Sequence, residues 1–217
     1  MPYGLCIFDL DGTLTDPGPG ITRSFQYALK AFGVEESLES LARHIGPPLR
    51  ETFSKVYGFS ASDTEAAVDK YREYYAATGL YENAVYPDIP PLLETLAGRG
   101  VKLAVATSKV TAYARTILTH FKLAGYFAFI SGDTMDGART VDGKRGLILT
   151  AIGALDPLRN LNALMIGDRM HDMEGARAAG IDAAGVMWGY GSRKELENES
   201  ATWIIDTADE LLNIIIN

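Results

Sequence analysis

The sequence predicts an α/β fold: a doubly wound parallel sheet with an all-helical segment inserted near its amino end. Short, uninterrupted apolar runs recur along the chain, as expected for strands covered on both faces. Helix-length segments separate most of these runs. Residues 16–82 contain no such run and show only helical patterns. We therefore expect a core formed by residues 1–15 and 83–217, and a helical cap formed by residues 16–82.

The first predicted strand, Leu5-Cys6-Ile7-Phe8, is a continuous apolar run that turn residues follow. Later runs of the same kind predict further strands, and the last of them precedes a closing helix that starts at Ala208. These further strands are Val101 to Ala106, Tyr126 to Ile130, Leu161 to Ile166, Ile181 to Met187 and Thr202 to Ile205.

The inserted segment predicts three helices, because its apolar residues recur at spacings of three and four. The third helix is expected to begin at a capping box, Ser62-x-x-Glu65, and to end near Gly79. The apolar positions that define the first two helices are Ile21, Phe25, Ala28, Leu29 and Phe32, then Leu49, Phe53, Val56 and Tyr57.

Length and charge limit the classes of function. At the usual ~150 residues per domain, 217 residues suit one compact domain with a large insertion. Lys and Arg number 20 against 28 Asp and Glu, a net charge of −8 that disfavours a nucleic-acid polymer as partner. The amino terminus has no basic start and Asp9 interrupts its apolar run, so we expect no membrane segment. The single Cys6 favours a cytoplasmic protein. The oligomeric state stays open.

Polar residues follow three of the predicted strands: Asp9-Leu10-Asp11-Gly12-Thr13, Thr107-Ser108-Lys109 and Gly167-Asp168-Arg169-Met170-His171-Asp172. Each motif alone is also typical of a turn or a helix cap. Ligands of open α/β sheets bind outside the carboxyl ends of the strands. Together the three motifs predict a functional site at that edge.

These motifs resemble the signature of the haloacid dehalogenase (HAD) superfamily: Asp-x-Asp-Gly-Thr, then Thr or Ser, a Lys, and Gly-Asp-x-x-x-Asp. The resemblance covers nearly the whole chain. It extends to the helical insertion, which lies between the first two motifs as in the subclass with a helical cap. It implies a HAD-like, Rossmann-type core and an enzyme.

The resemblance also implies roles for individual residues. Asp9 would be the nucleophile that forms an aspartyl-phosphate, and Asp11 the general acid and then the base. Thr107 would bind a phosphoryl oxygen. Lys144 would balance the charge, with Arg139 and Arg145 as nearby competitors. Residues expected to contact the phosphate are Gly12, Thr13, Thr107, Ser108, Lys109 and Lys144.

A carboxylate nucleophile and a phosphate repel each other in a dry site, so a divalent cation is expected between them. The resemblance implies Mg²⁺, held by the Asp9 carboxylate, the Asp11 backbone carbonyl and Asp168. Asp172 would either be an alternative ligand or support the ligands without touching the metal. The sequence leaves open whether Asp168 or Asp172 touches the metal.

These features predict a Mg²⁺-dependent phosphatase for a small phosphomonoester, similar to phosphoglycolate phosphatases. A 5′-nucleotidase and a hexose-phosphate mutase are alternatives with the same motifs. A phosphate-binding or receiver-like module is the non-enzyme alternative, which Asp11 argues against because such a module needs no acid/base. Arg43 and Arg50 flank Ile45-Gly46-Pro47-Pro48 and are either specificity residues or a solvated basic surface.

Overall fold

A computed structural model describes residues 3–139 and 143–217. The chain forms two compact units. One unit comprises Met1–Thr15 and Val85–Asn217, and the other comprises Asp16–Ala84. The first contains the parallel sheet that the apolar runs predict, with helices around it, so the predicted α/β fold is confirmed.

The main sheet has six strands in the order β5-β4-β1-β6-β7-β8, and every pairing in it is parallel. A second sheet pairs two strands of two residues each, β2 and β3, which contain the points where the chain passes between units. Strands this short have no apolar pattern to reveal them. The strands are β1 Leu5–Phe8, β2 Thr15–Asp16, β3 Ala84–Val85, β4 Lys102–Val110, β5 Phe129–Asp133, β6 Ala163–Gly167, β7 Asp182–Val186 and β8 Trp203–Ile205.

The central strand β1 is fully buried and lies between β4 and β6. Phe8 at its end is in register with Val105 of β4 and with Ile166 of β6. The carboxyl ends of these three strands therefore lie at the same edge of the sheet. This register brings together the three motifs found in the sequence.

The largest differences from the predicted strand boundaries are in β4 and β5. Strand β4 continues past Ala106 to Val110, and its register against β5 shifts between Thr107 and Val110. The residues Thr107-Ser108-Lys109 thus lie within the irregular end of β4 and not after it. Strand β5 begins at Phe129 because residues Ala124–Tyr126 form a 3₁₀ turn. Apolarity alone cannot place these ends.

The helical unit has an aromatic core. Phe25 lies with its ring centroid 5.4 Å from that of Phe53 and 5.0 Å from that of Tyr71, and all three side chains are buried. The unit contains α1 Gly18–Ala31, α2 Leu38–Leu41, α3 Leu49–Glu51 and α4 Ala61–Tyr74, with π-helical turns at Thr52–Val56 and Tyr75–Gly79.

Two expectations for the helical unit are wrong. Helix α4 is capped by Ser60, whose hydroxyl accepts a bond from the backbone N–H of Asp63, and not by Ser62. The spacing of a serine and an acid three residues later occurs twice here, so the pattern alone cannot choose. Val56 was expected on a buried face but is 56% exposed, because wider π turns rotate the residues away from α-helical spacing.

Among the residues that the structure describes, six helices belong to the first unit. Its core includes Leu5 and Ile7 of β1, which pack with apolar residues of three of these helices, among them Ile148, Met173 and Leu196. No helix within residues 3–139 and 143–217 combines the length and apolar character needed to cross a membrane. The helices are α5 Ile89–Gly98, α6 Thr111–His120, α7 Arg145–Leu155, α8 Met170–Ala179, α9 Arg193–Asn198 and α10 Ala208–Ile216.

Candidate active site

Asp9 is the first residue after β1, at the centre of the sheet edge. Its backbone N–H donates to the carbonyl of Ile166, 2.8 Å away, which extends the β1–β6 pairing by one residue. The side chain is buried, and Oδ2 lies 2.8 Å from Nζ of Lys144. Oδ1 is also buried, and within the described part of the chain it has no hydrogen-bond partner. One carboxylate oxygen is therefore held while the other is left for a ligand.

Lys144 immediately precedes α7 and is the cation that the fold places beside Asp9. Its ammonium group also pairs with Oδ1 of Asp172. Burial disfavours the charged ammonium, but the carboxylates of Asp172 and Asp9 outweigh this effect and raise the pKa of Lys144. The competing arginines donate elsewhere: Arg139 to the carbonyl of Gly132, and Arg145 to that of Ala178.

Asp168 and Asp172 lie at the junction of β6 and α8. Asp172 accepts a bond at Oδ2 from the N–H of Arg169 at 3.0 Å, as part of a capping box at the start of α8. Asp168 accepts bonds from the hydroxyl of Thr13 at 3.3 Å and from the N–H of Tyr190 at 2.8 Å. Burial, with Asp172 and Asp9 nearby, raises the pKa of Asp168 to about 7.

These acidic residues form a cluster that suits a metal ion. One carboxylate oxygen from each of Asp9, Asp168 and Asp172 lies within 4.8 Å of the others, and all three residues are buried. When all three are ionised, the single charge of Lys144 leaves an excess of two negative charges. A divalent cation would neutralise this excess, and oxygen ligands are those that Mg²⁺ prefers.

A second buried ion pair joins Asp11 to Lys109. Nζ of Lys109 lies 2.8 Å from Oδ2 of Asp11, and their side chains are 7% and 14% exposed. Burial raises the pKa of Asp11, and the nearby charge of Lys109 offsets part of that rise. Oδ1 of Asp11, like that of Asp9, is buried and has no hydrogen-bond partner among the described residues.

The other residues expected at the phosphate differ in what they offer. Thr107 is buried at the end of β4, and its Oγ1 accepts a bond from the N–H of Lys109 at 3.2 Å, which leaves its hydroxyl proton for a ligand. Ser108 is half-buried. The N–H of Gly12 donates to Thr15 within the loop, and the Thr13 hydroxyl donates to Asp168. Gly12 and Thr13 thus shape the loop around Asp168.

Sequence reasoning missed the loop after β7. Trp188 donates from its indole N–H to the carbonyl of Thr13 at 3.0 Å, and Tyr190 donates to Asp168. A Cβ at Gly191 would overlap the carbonyl of Asp168, so the backbone approaches this strand end closely. The sequence feature that could have revealed this loop is the run Trp188-Gly189-Tyr190-Gly191. This run follows β7, another strand that ends at the same edge of the sheet.

Arg43 and Arg50, the proposed specificity residues, belong to the helical unit, and each has a carboxylate partner there. Nη2 of Arg43 lies 2.6 Å from Oε1 of Glu36. Arg50 binds Glu65 through two parallel hydrogen bonds of 2.7 and 2.8 Å. His171, in contrast, lies in the first unit beside Glu174, and no described metal cluster includes it.

Comparisons with known proteins agree with this geometry. The chain is 47% identical over 203 residues to the 5′-nucleotidase of Pseudomonas aeruginosa, covering 93% of this chain and 90% of that protein. It is 44% identical over 210 residues to tyrosine-protein kinase PtkA of Mycobacterium tuberculosis, covering 95% of this chain and 70% of that protein. The crystal structure of a predicted phosphatase from Clostridium acetobutylicum superposes with a TM-score of 0.92, at 42% identity over 98% of both chains.

The family resemblance inferred from the three motifs is confirmed. A family model described as haloacid dehalogenase-like hydrolase matches residues 6–186, which include all three motifs and Lys144. The expectation that the chain is an enzyme, a phosphatase, is confirmed by the same match and by the phosphatase relatives. The chain therefore belongs to the haloacid dehalogenase-like hydrolase family.

Proposed function

We propose that this protein is a Mg²⁺-dependent phosphatase that hydrolyses nucleoside 5′-monophosphates through an aspartyl-phosphate on Asp9. The reaction type is supported by one observation, the different surroundings of the two oxygens of the Asp9 carboxylate. Oδ2 is held by Lys144, while Oδ1 is buried without a hydrogen-bond partner among the described residues. A buried oxygen of this kind is costly unless a ligand uses it.

The reaction has two steps, and both use the residues at the sheet edge. In the first, Oδ1 of Asp9 forms a bond to phosphorus while the bond to the leaving oxygen breaks, and protonated Asp11 gives that oxygen its proton. In the second, Asp11 takes a proton from water, and the water oxygen attacks phosphorus. The bond to Asp9 then breaks, which releases inorganic phosphate and restores the free carboxylate.

The acidic cluster fits the predicted metal. Asp9, Asp168 and the backbone carbonyl of Asp11 would hold Mg²⁺, which supplies positive charge against the nucleophile and the phosphate when it is bound. Asp172 has one oxygen on Lys144 and the other on the N–H of Arg169. We therefore assign Asp172 to positioning Lys144, and Asp168 to the metal.

Two observations favour a nucleotide over phosphoglycolate. The relative with 47% identity over 93% of the chain is a 5′-nucleotidase. Arg50, expected to bind a substrate carboxylate, already binds the carboxylate of Glu65 through both arms of its guanidinium. A substrate carboxylate would have to displace this partner. Phosphoglycolate phosphatase and hexose-phosphate mutase remain the alternatives, as does the phosphate-binding module.

The kinase relative supports a second candidate, phosphoryl transfer to a protein tyrosine. The same aspartyl-phosphate chemistry would serve it, with a tyrosine hydroxyl in place of water.

We also propose a cytoplasmic location, because Cys6 is buried and makes no disulfide.

A panel of phosphomonoesters tests the function. With Mg²⁺, kcat/KM should be highest for nucleoside 5′-monophosphates, and Asp9→Asn should abolish turnover of every ester while leaving the far-UV circular dichroism unchanged. A preference for phosphoglycolate would restore that alternative, and conversion of a phosphohexose to its isomer would identify a mutase. Phosphotyrosine formed from ATP in a tyrosine-containing protein substrate would favour the kinase. Turnover without Mg²⁺ would contradict the metal requirement, and no turnover of any substrate would contradict the phosphatase.

A further inference from the structure

The ion pair of Lys109 and Asp11 is not explained by phosphate binding. Lys109 was expected to contact the phosphate, yet its ammonium lies on Oδ2 of Asp11 at 2.8 Å. One of the three donors of the ammonium is thus directed at Oδ2 of a carboxylate whose side chain is only 14% exposed. While Asp11 is ionised, separating the two groups would leave an uncompensated buried charge, which is strongly unfavourable.

The two oxygens of Asp11 have different surroundings. Oδ2 is bound by Lys109, whereas Oδ1 is buried and has no hydrogen-bond partner in residues 3–139 and 143–217. A carboxylate with one oxygen bound by a buried ammonium has restricted rotation about its terminal bond. The ion pair therefore distinguishes Oδ1 from Oδ2.

Lys109 is itself fixed by the irregular end of β4. Its N–H donates to Oγ1 of Thr107 at 3.2 Å, at the point where the register between β4 and β5 shifts. One short segment thus carries a hydroxyl suited to the phosphate and an ammonium that binds the acid/base. The position of Asp11 relative to Thr107 is set through this segment.

We propose that Lys109 is a positioning residue for Asp11, which it orients so that Oδ1 exchanges the proton with the leaving oxygen and then with water. This inference rests on the proposed phosphatase function and adds to it which oxygen of Asp11 reacts and which residue holds the other. Lys109 itself forms no bond to the substrate.

A double-mutant cycle tests this inference in the full-length protein with Mg²⁺. Asp11→Asn, Lys109→Met and the double variant are compared by kcat/KM on p-nitrophenyl phosphate and on an alkyl phosphate such as a nucleoside monophosphate. An aryl oxide needs little protonation, whereas an alkoxide needs an acid. We expect Lys109→Met to reduce kcat/KM on the alkyl ester about tenfold or more beyond its effect on the aryl ester. The double variant should match Asp11→Asn alone, because both changes remove one function.

Two controls accompany the cycle. Lys194→Met removes an exposed ammonium on α9 and should change neither rate. Lys109→Arg retains a donor for Oδ2 and should recover part of the alkyl-ester activity. If Lys109→Met does not fold, as judged by circular dichroism, Lys109→Gln replaces it in the cycle.

The opposite result is equally distinct. If Lys109 instead binds the phosphate, Lys109→Met should lower kcat/KM equally on both esters and weaken inhibition by inorganic phosphate. Its effect should also add to that of Asp11→Asn. This result would overturn the inference. Failure of the proposed function is separate, because the unmodified protein would then show no Mg²⁺-dependent hydrolysis at all.

Discussion

The two units contain ion pairs of nearly equal length that have very different surroundings. Lys144 and Asp9 are 2.8 Å apart, with side chains 4% and 9% exposed. Nε of Arg50 and Oε1 of Glu65 are 2.7 Å apart, and these side chains are 33% and 56% exposed. Breaking a buried pair costs about 3–5 kcal/mol, while an exposed pair contributes about 0–1 kcal/mol. Burial at a sheet edge, and not the contact distance, distinguishes the charges that we assign to the reaction.

The difference extends to how each unit forms its core. Strands β1, β4 and β6 of the first unit end in polar residues that face one another across a shared edge. The helical unit buries aromatic side chains, among them Phe25, Phe53 and Tyr75. Its ion pairs Arg50–Glu65, Lys55–Glu51 and Lys70–Glu73 are more exposed than the pair of Lys144 and Asp9. In the first unit, burial therefore indicates the charges proposed for the reaction, whereas in the helical unit it does not indicate residues for substrate recognition.

Replacing Lys144 should produce the largest contrast. In EDTA, Lys144→Met leaves Asp9 and Asp172 uncompensated, so we expect the free energy of unfolding to fall by about 3–5 kcal/mol, and activity with Mg²⁺ to be lost. Arg50→Met is the matched control in the exposed pair and should lower the free energy of unfolding by at most about 1 kcal/mol. Urea unfolding measures both. Equal losses would show that burial does not distinguish the pairs.

Removing Asp168 should weaken the metal site. Asp168→Ala should raise the Mg²⁺ concentration needed for half-maximal rate, because Mg²⁺ binds few protein oxygens. Titration of the initial rate with MgCl₂ measures this concentration. An unchanged value would exclude Asp168 as a ligand, and activity that persists in excess EDTA would contradict a readily exchangeable catalytic metal.

The pKa of Asp168 predicts how pH affects the metal-free protein. The folded value, about 7, exceeds the ordinary value of 3.8, so between these limits the folded state binds more protons than the unfolded state. The contribution of Asp168 to the free energy of unfolding therefore falls as pH rises through this range. Mg²⁺ needs the ionised carboxylate, so the rise in Tm that Mg²⁺ produces should be larger at pH 8 than at pH 6. Asp168→Asn should reduce this difference in thermal unfolding monitored by circular dichroism; no change would contradict the assignment.

Arg50→Ala should have the smallest effect on a nucleotidase. Because Arg50 is bound to Glu65, we expect little change in kcat/KM for nucleoside monophosphates or for p-nitrophenyl phosphate. If phosphoglycolate is the substrate, loss of an Arg–carboxylate bond worth ~1.5–3 kcal/mol should reduce kcat/KM for it by about 10- to 150-fold while p-nitrophenyl phosphate is unaffected. Rates on the three esters separate these outcomes.

The sequence predicts most of the first unit because its signals are local. The apolar run before Asp9 and the helix after Lys144 follow from neighbouring residues. Interactions between distant residues are not visible in this way. The pairing of Lys109 with Asp11 depends on the register shift at the end of β4, and the bond from Tyr190 to Asp168 depends on a loop that only the folded sheet brings near.

The helical unit shows the same limit. Its apolar spacing predicts the buried face of α1, including Phe25, but not the wider turns that expose Val56. The partner of Arg50 was also not predictable, since Glu65 lies 15 positions away on another helix. Competing serine caps, Ser60 and Ser62, have equivalent sequence patterns, and only the backbone geometry selects the first.

Trapping the covalent intermediate tests the central claim, that Asp9 is the nucleophile, most directly. Asp11→Asn should form the intermediate from p-nitrophenyl phosphate, whose leaving group needs little acid, but should hydrolyse it slowly because the base is missing. After mixing with Mg²⁺ and quenching in acid, mass spectrometry of proteolytic peptides should find one phosphoryl group on Asp9. The double variant with Asp9→Asn should carry none. Release of nitrophenolate in amounts equal to the enzyme without any phosphorylated peptide, or with the phosphoryl group on another residue, would contradict the account.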